Sequence, residues 1–257
     1  MAIDRKKFKK DLRERTEESY NNRESSGKFE SYIENDIPIP QWKCGDGDHA
    51  INVVPYIASK NHPNVKEGVG THNIDVWVHF GVGIQENAYV CPMKTYKKPC
   101  PICELELKLK KKGGYDENYL KSLKPKRRVV YNIVCYDTKQ DEDLGIQYWE
   151  ASHFLAEKNI MAIAKNKRQG GFVDWTDPDN GKIVEFTKEG KDKGTKHVGH
   201  RFSDRGDDVI TDEMLEDAVN LEDYLKKNTY EELLEALESG VAPEEEEEEE
   251  MDARTSK

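Results

Sequence analysis

Three cysteines crowded between positions 91 and 103 constrain this chain more than any other feature. Cys100-Pro101-Ile102-Cys103 is a CxxC pair, and Cys91 precedes it by eight intervening residues. Two thiols on one tight turn aim at the same small volume, and a third nearby completes most of a tetrahedral grip on one soft cation. The competing readings are a redox dithiol and a disulfide frame. Structural disulfides belong mainly to exported chains, whereas the N-terminus here is basic and polar with no hydrophobic stretch behind it. Zinc ligation is therefore the expectation, with the fourth ligand drawn from His79, His72 or Cys44. One imidazole with three thiolates would close a structural site and leave no open position for water. Metal binding would then supply folding energy to the Lys- and Pro-rich loop between Pro92 and Pro99. Cys135 falls within an alternating strand pattern and is expected in the core.

Charge divides the chain in two. The formal net charge is -11, but Asp204 to Lys257 hold 21 acidic and 5 basic residues, a net of -16. That leaves residues 1–203 with 30 acidic and 35 basic residues, a net of +5. A basic body suits phosphate, and a separate acidic end suits interaction with basic surfaces. Seven consecutive glutamates follow Pro243; they repel one another and cannot build a core, so residues 241–257 are expected to be disordered. Hydrophobic and charged residues each make up 35% of the chain, too polar a balance for every residue to be packed. No apolar run approaches the length of a bilayer span. A cytoplasmic protein without a membrane partner is expected.

Between these ends the texture is mainly β (α+β). Ala50 to Ala58, Asn73 to Val82, Arg128 to Tyr136 and Gly145 to Trp149 are rich in β-branched and aromatic residues and read as strands. Phe172 to Trp175 and Lys182 to Phe186 read as short strands around a turn at Asp177-Pro178-Asp179-Asn180-Gly181. Ser152 to about Lys167 has helical spacing and stops at Gly170-Gly171. Two more helices are expected in the acidic segment, Thr211 to about Lys227 and Thr229 to Ser239, the second with a Thr229/Glu232 capping box. At the other end, Asp4 to about Tyr20 carries a basic cluster with Phe8 and Leu12 four apart, and Asn21 to Lys28 reads as a linker.

His79-Phe80-Gly81, Ala88-Tyr89-Val90-Cys91 and Cys100-Pro101-Ile102-Cys103-Glu104 resemble the zinc segment of the helix-destabilising single-stranded DNA-binding proteins of T-even bacteriophages. Lys124-Pro125-Lys126-Arg127-Arg128 followed by Tyr131-Asn132-Ile133-Val134 is similar to that family's basic stretch and the strand after it. The resemblance covers roughly residues 50–165. It implies that His79 joins Cys91, Cys100 and Cys103 around one structural Zn2+, and that the core is an OB-fold. The chain then divides into a basic N-terminal arm at 1–30, an OB-fold core with a zinc insertion at 31–203, an acidic helical segment at 204–240 and the disordered tail at 241–257. The gaps between His79, Cys91 and Cys100 are each a residue shorter than the family pattern. The N-terminal cluster also lacks the Ser/Thr-containing form used there for contact with a neighbour.

Sequence-independent binding of single-stranded DNA needs cations for the phosphates and aromatic faces for the bases. Lys94, Lys97, Lys98, Lys124, Lys126, Arg127 and Arg128 supply the first, and Tyr96, Tyr131, Tyr136, Tyr148 and Trp149 the second, with Tyr96 and Tyr131 favoured because each lies beside a basic cluster. Lys108 to Lys112 read as a solvated helix face. The resemblance implies a role in DNA replication, recombination and repair, in the host-cell cytoplasm if the chain is phage-encoded. The acidic tail would recruit replication and recombination proteins or compete for the DNA groove; self-association along DNA is left open by the departure in the N-terminal cluster. On this view, deletion of 204–257 leaves DNA binding intact or tighter. No P-loop, GxSxG or two-metal carboxylate cluster points to an enzyme. A zinc-dependent RNA-binding translational regulator and a protein-interaction scaffold are the alternative functions.

Overall fold

The strand from Lys126 to Cys135 organises the molecule, because its residues alternate between two buried faces. Val129, Tyr131, Ile133 and Cys135 enter one hydrophobic cluster. Val130 enters a second and Val134 a third on the opposite side. That period of two is the signature of a strand covered on both faces. The structure, a computed structural model, describes residues 30–165, 170–191, 194–206 and 208–239. The basic N-terminal segment, the linker after it and the glutamate tail lie outside these residues.

Nine strands are present among the described residues: β1 (Gly47–Val54), β2 (Tyr56–Ile57), β3 (Gly70–Thr71), β4 (Ile74–Val82), β5 (Asn87–Val90), β6 (Lys126–Cys135), β7 (Ile146–Ser152), β8 (Lys182–Glu189) and β9 (Lys196–Asp204). β2 and β3 form a small ribbon, and the other seven share one sheet. The path runs β5-β4-β6-β1-β8-β9, with β7 on the other edge of β6. One edge of β6 pairs first with β4, up to Val130, and then with β1, from Asn132 onward. The protein is thus a mixed α/β chain with a mainly antiparallel sheet, and the sheet does not close into a barrel.

The helices are α1 (Pro92–Tyr96), α2 (Pro101–Lys112), α3 (Glu117–Ser122), α4 (Lys139–Asp143), α5 (Lys158–Ala164), α6 (Asp212–Asp217) and α7 (Tyr230–Ser239). A π-turn at His153–Glu157 leads into α5, and Leu221–Tyr224 form a 3-10 turn. Ala156, Ile160 and Ala164 from the π-turn and α5 cover Ile51, Tyr131, Ile133 and Trp149. None of these helices is long and apolar enough to cross a membrane.

The opposite face of the sheet is covered by the acidic segment. Leu221 and Leu225 pack with Tyr32, Ile74, Val76, Val78 and Val130. Ile210 packs with Val54, Val134 and Ile146. Asn132 donates its amide to the carbonyl of Val219 at 2.9 Å, and Asn52 donates to that of Asp208 at 3.1 Å. The dispensability expected of 204–257 is therefore corrected for residues 208–239, which finish the core.

Other boundaries move for local reasons. The helix expected through Lys227 stops at Ala218, because Asn132 takes the next carbonyl and Leu221 turns inward. Its successor is as expected: Thr229 N–H donates to Glu232 at 2.8 Å and Glu232 N–H donates back to the Thr229 hydroxyl at 3.2 Å. Phe172 to Trp175 is no strand; Phe172 makes an isolated bridge to Lys165. β9 was not foreseen, since its Lys, Gly, His and Arg residues give it the polar character of an edge strand.

Candidate metal centre and its basic surroundings

Each ligand is placed by a local backbone device. β4 brings His79 opposite Tyr89 of β5. The chain leaves β5 at Val90, and Cys91 N–H donates to the Trp77 carbonyl at 2.6 Å, which anchors Cys91 as the N-cap of α1. The Cys91 sulfur accepts from Lys94 N–H at 3.4 Å. Lys97 then adopts a left-handed conformation at φ 60°, and Lys98 N–H returns to the Pro92 carbonyl at 3.1 Å. This reversal delivers Cys100 as the N-cap of α2, with Pro101 in its first turn and Cys103 one turn along. The CxxC pair therefore sits at the positive end of a helix, which favours thiolate.

The four donor atoms, one each from His79, Cys91, Cys100 and Cys103, lie within 4.8 Å of one another and can hold one metal ion. Cys91 and Cys103 sulfurs are 3.5 Å apart, and His79 Nε2 is 3.5 Å from Cys100 and 3.6 Å from Cys103. His79, Cys91 and Cys100 are fully buried. His79 Nδ1 donates to the Leu123 carbonyl at 2.9 Å, which leaves Nε2 as the ligand atom. The other sequence candidates stand elsewhere: His72 packs against Tyr131 and Trp175, and Cys44 lies beside Gly45 and His49. Leu109, Leu123, Ile102, Val82 and Leu233 of α7 close around the cluster.

Packed this closely, the thiols cannot all ionise without a cation. Hydrogen bonds from Cys103 and Cys91 hold the Cys100 thiol far below its usual range. Its contacts with Cys100 and Cys91 push Cys103 far above that range. Burial pulls the His79 imidazole down, but the Cys100 and Cys91 sulfurs raise it to about 9. A bound divalent ion would take the place of these shared protons.

Of the residues expected to meet DNA, five lysines remain open. Lys94, Lys97, Lys98, Lys124 and Lys126 are exposed, and the nearest carboxylate partner among the described residues is Glu106, 4.0 Å from Lys124. Arg127 is committed to Asp75 through two hydrogen bonds of 2.8 and 2.7 Å. Arg128 is committed to Glu150 at 2.9 Å. The expectation that Tyr131 and Trp149 stack on bases is corrected. They are paired across β6 and β7 on the face that the π-turn and α5 cover, at 0% and 2% exposure. Trp149 is itself stacked between Tyr131 and Phe186. Tyr136 is half-buried beside Ile146 and Ile210. Tyr148 faces a cavity of about 850 Å³ whose lining includes Glu30, Glu34, Glu86 and Glu150, a poor setting for phosphate.

Tyr96 is half-buried and faces a different space. A cavity of about 390 Å³ is lined by Lys60, Lys98, Lys226 and Lys227 together with Tyr96, His62 and Asn228. Lys60, Lys226 and Lys227 escaped the sequence reading. The available signal was Lys226-Lys227, a basic pair inside an otherwise acidic segment. No family model matches the chain, and no curated protein matches it.

Proposed function

We propose that the protein binds single-stranded DNA without reading its sequence, and that one structural Zn2+ braces the surface it uses. Tetrahedral zinc with sulfur at about 2.3 Å and nitrogen at about 2.0–2.1 Å needs sulfur–sulfur edges near 3.8 Å and sulfur–nitrogen edges near 3.6 Å. The 3.5 and 3.6 Å separations fit that polyhedron. Four ligands fill it, so the ion acts as a brace and offers no site to a substrate.

The observation that carries the reading is the loop this brace clamps. Between Cys91 and Cys100 it holds Lys94, Lys97 and Lys98 exposed around Tyr96. Cations beside an aromatic ring are the common currency of single-strand binding, where stacking contributes about 1–3 kcal/mol per base. Lys124 and Lys126 extend the cationic surface along the start of β6. The resemblance to the T-even phage helix-destabilising proteins points the same way and would place the protein in replication, recombination and repair. The sheet is read as an open relative of the OB-fold, itself a partly open barrel. β6, lending one edge to two strands in turn, supports this.

The test is affinity for oligo(dT) over a salt series, with zinc per chain measured on the same sample and on Cys100→Ser. One zinc per chain, salt-sensitive binding and weakening of both in the variant are expected. Absence of binding at low salt would sink the reading. Tighter binding to RNA of the same sequence would favour a translational regulator.

A further inference from the structure

Three separate segments enclose the cavity of about 390 Å³ behind Tyr96. One wall is the loop around Lys60 to Pro63, the second the metal-clamped loop at Pro92, Tyr96 and Lys98, and the third the stretch from Lys226 to Asn228. Four lysines contribute to the lining, and no carboxylate of the described residues does. Lys226 has its one ion-pair partner among the described residues in Glu30, at 3.6 Å. Lys60, Lys98 and Lys227 are exposed.

The walls are fixed before any ligand arrives. Glu222, fully buried, accepts from Ser59 N–H at 2.5 Å and from the Tyr56 hydroxyl at 2.9 Å. Asp223 accepts from the Ser59 hydroxyl at 2.7 Å and the Asn61 amide at 2.6 Å. These bonds tie the first wall to the third, while Cys91 ties the second to the His/Cys cluster. Glu222 and Asp223 stay outside the lining, and the hydrogen bonds they accept hold the walls together without cancelling their charge. In the lining the Tyr96 hydroxyl is buried without a hydrogen-bond partner among the described residues, free to donate to an anion. Such groups are rare in folded proteins unless a water or ligand completes them.

We infer that this pocket seats a phosphodiester group of the DNA backbone, with Lys60, Lys98, Lys226 and Lys227 as its cations and the Tyr96 hydroxyl as a donor. The inference rests on the single-stranded DNA reading above. It goes further by giving the acidic segment, through Lys226 and Lys227, a direct part in holding DNA.

The decisive comparison uses the full-length, zinc-loaded protein and Lys60→Gln/Lys227→Gln, both changed at exposed positions. Lys110→Gln/Lys111→Gln on α2 is the control with the same change in net charge. Loss of this one phosphate contact should weaken oligo(dT) binding on the order of tenfold near 0.1 M salt and flatten the log–log salt dependence by about 0.7. The control should keep the wild-type slope. If wild type binds oligo(dT) but both double variants behave alike, the pocket assignment is overturned and the DNA reading survives. A wild type that does not bind overturns both. Inorganic phosphate and dTMP form the remaining arm. Sub-millimolar binding of either that is lost in Lys60→Gln/Lys227→Gln while oligo(dT) affinity is unchanged overturns the backbone assignment in favour of a free-anion site.

Discussion

The ring of His79 is tied to the backbone at Leu123, whose carbonyl accepts from Nδ1 at 2.9 Å while Nε2 faces the thiols of Cys100 and Cys103. A carbonyl can only accept, so this bond fixes the tautomer and the tilt of the ring. His79→Gln and Cys100→Ser should each drop from one metal per chain to substoichiometric content after dialysis against a mild chelator. Atomic emission on the purified proteins checks this, and full occupancy in both variants would contradict the four-ligand site.

Metal removal should be felt in α7. Leu233 is fully buried in the same cluster as the three cysteines, and Tyr230 donates to Glu104 of α2 at 2.8 Å. Chelation should raise amide hydrogen exchange in residues 230–239 while leaving β1 and β6 protected. Equal protection of α7 with and without metal would refute the coupling.

Truncating Leu233 tests the same contact from the other side. Leu233→Ala should cost about 2–5 kcal/mol, the usual range for a buried leucine. Leu144→Ala, at a residue 56% exposed, should stay within about 0.5 kcal/mol of wild type. Denaturant unfolding followed by tryptophan fluorescence compares them.

A pH signature belongs to His49. Its Nδ1 donates to Asp137 at 2.5 Å and its Nε2 to the Gly45 carbonyl at 2.9 Å, so both nitrogens carry protons. Burial opposes the charge, but the Asp137, Cys44 and Gly45 interactions together outweigh it and raise the imidazole from 6.5 to about 10. The stabilisation is complete below pH 6.5 and fades as pH climbs towards 10. Burial also works against the Asp137 carboxylate, yet His49 holds it below 3.8, and its share is lost only as pH falls beneath that value. Asp137→Asn should therefore lose about 2 kcal/mol near pH 6, and its deficit should shrink by pH 10. A deficit independent of pH across that window would rule the ion pair out.

Truncations should separate the two parts of the acidic region. Deleting 240–257 leaves every described contact of α7 in place, and DNA binding should hold or tighten. Deleting 208–257 strips Ile210, Leu221, Leu225 and Leu233 from the core, and the product should be unfolded by circular dichroism. A folded, binding-competent 1–207 fragment would disprove the role of this segment in the core.

The three cysteines were legible because thiols at these spacings have few other uses, whereas His79 was set apart from His72 and Cys44 only by the family resemblance; β6 was legible from its run of apolar residues. Tyr131 and Trp149 were misplaced for a physical reason. Proximity to a basic cluster says nothing about burial: β6 is covered on both faces, so Tyr131 is enclosed whichever side it takes, and in β7 one step of register separates half-buried Tyr148 and Glu150 from the core position of Trp149. Arg127 and Arg128 were over-read in the same way, since their partners Asp75 and Glu150 stand on other strands. The acidic segment hid its role because charge dominates its composition, while a few leucines at the right positions decide its packing.

The double pairing along one edge of β6 carries a mechanical corollary. β4, which leads to the His/Cys cluster, and β1, which leads to the far edge of the sheet, are rivets in the same plank. Neither half of the body can peel away without opening β6, so heat should dismantle the sheet in a single step, and a calorimetric trace of the loaded protein should show one peak.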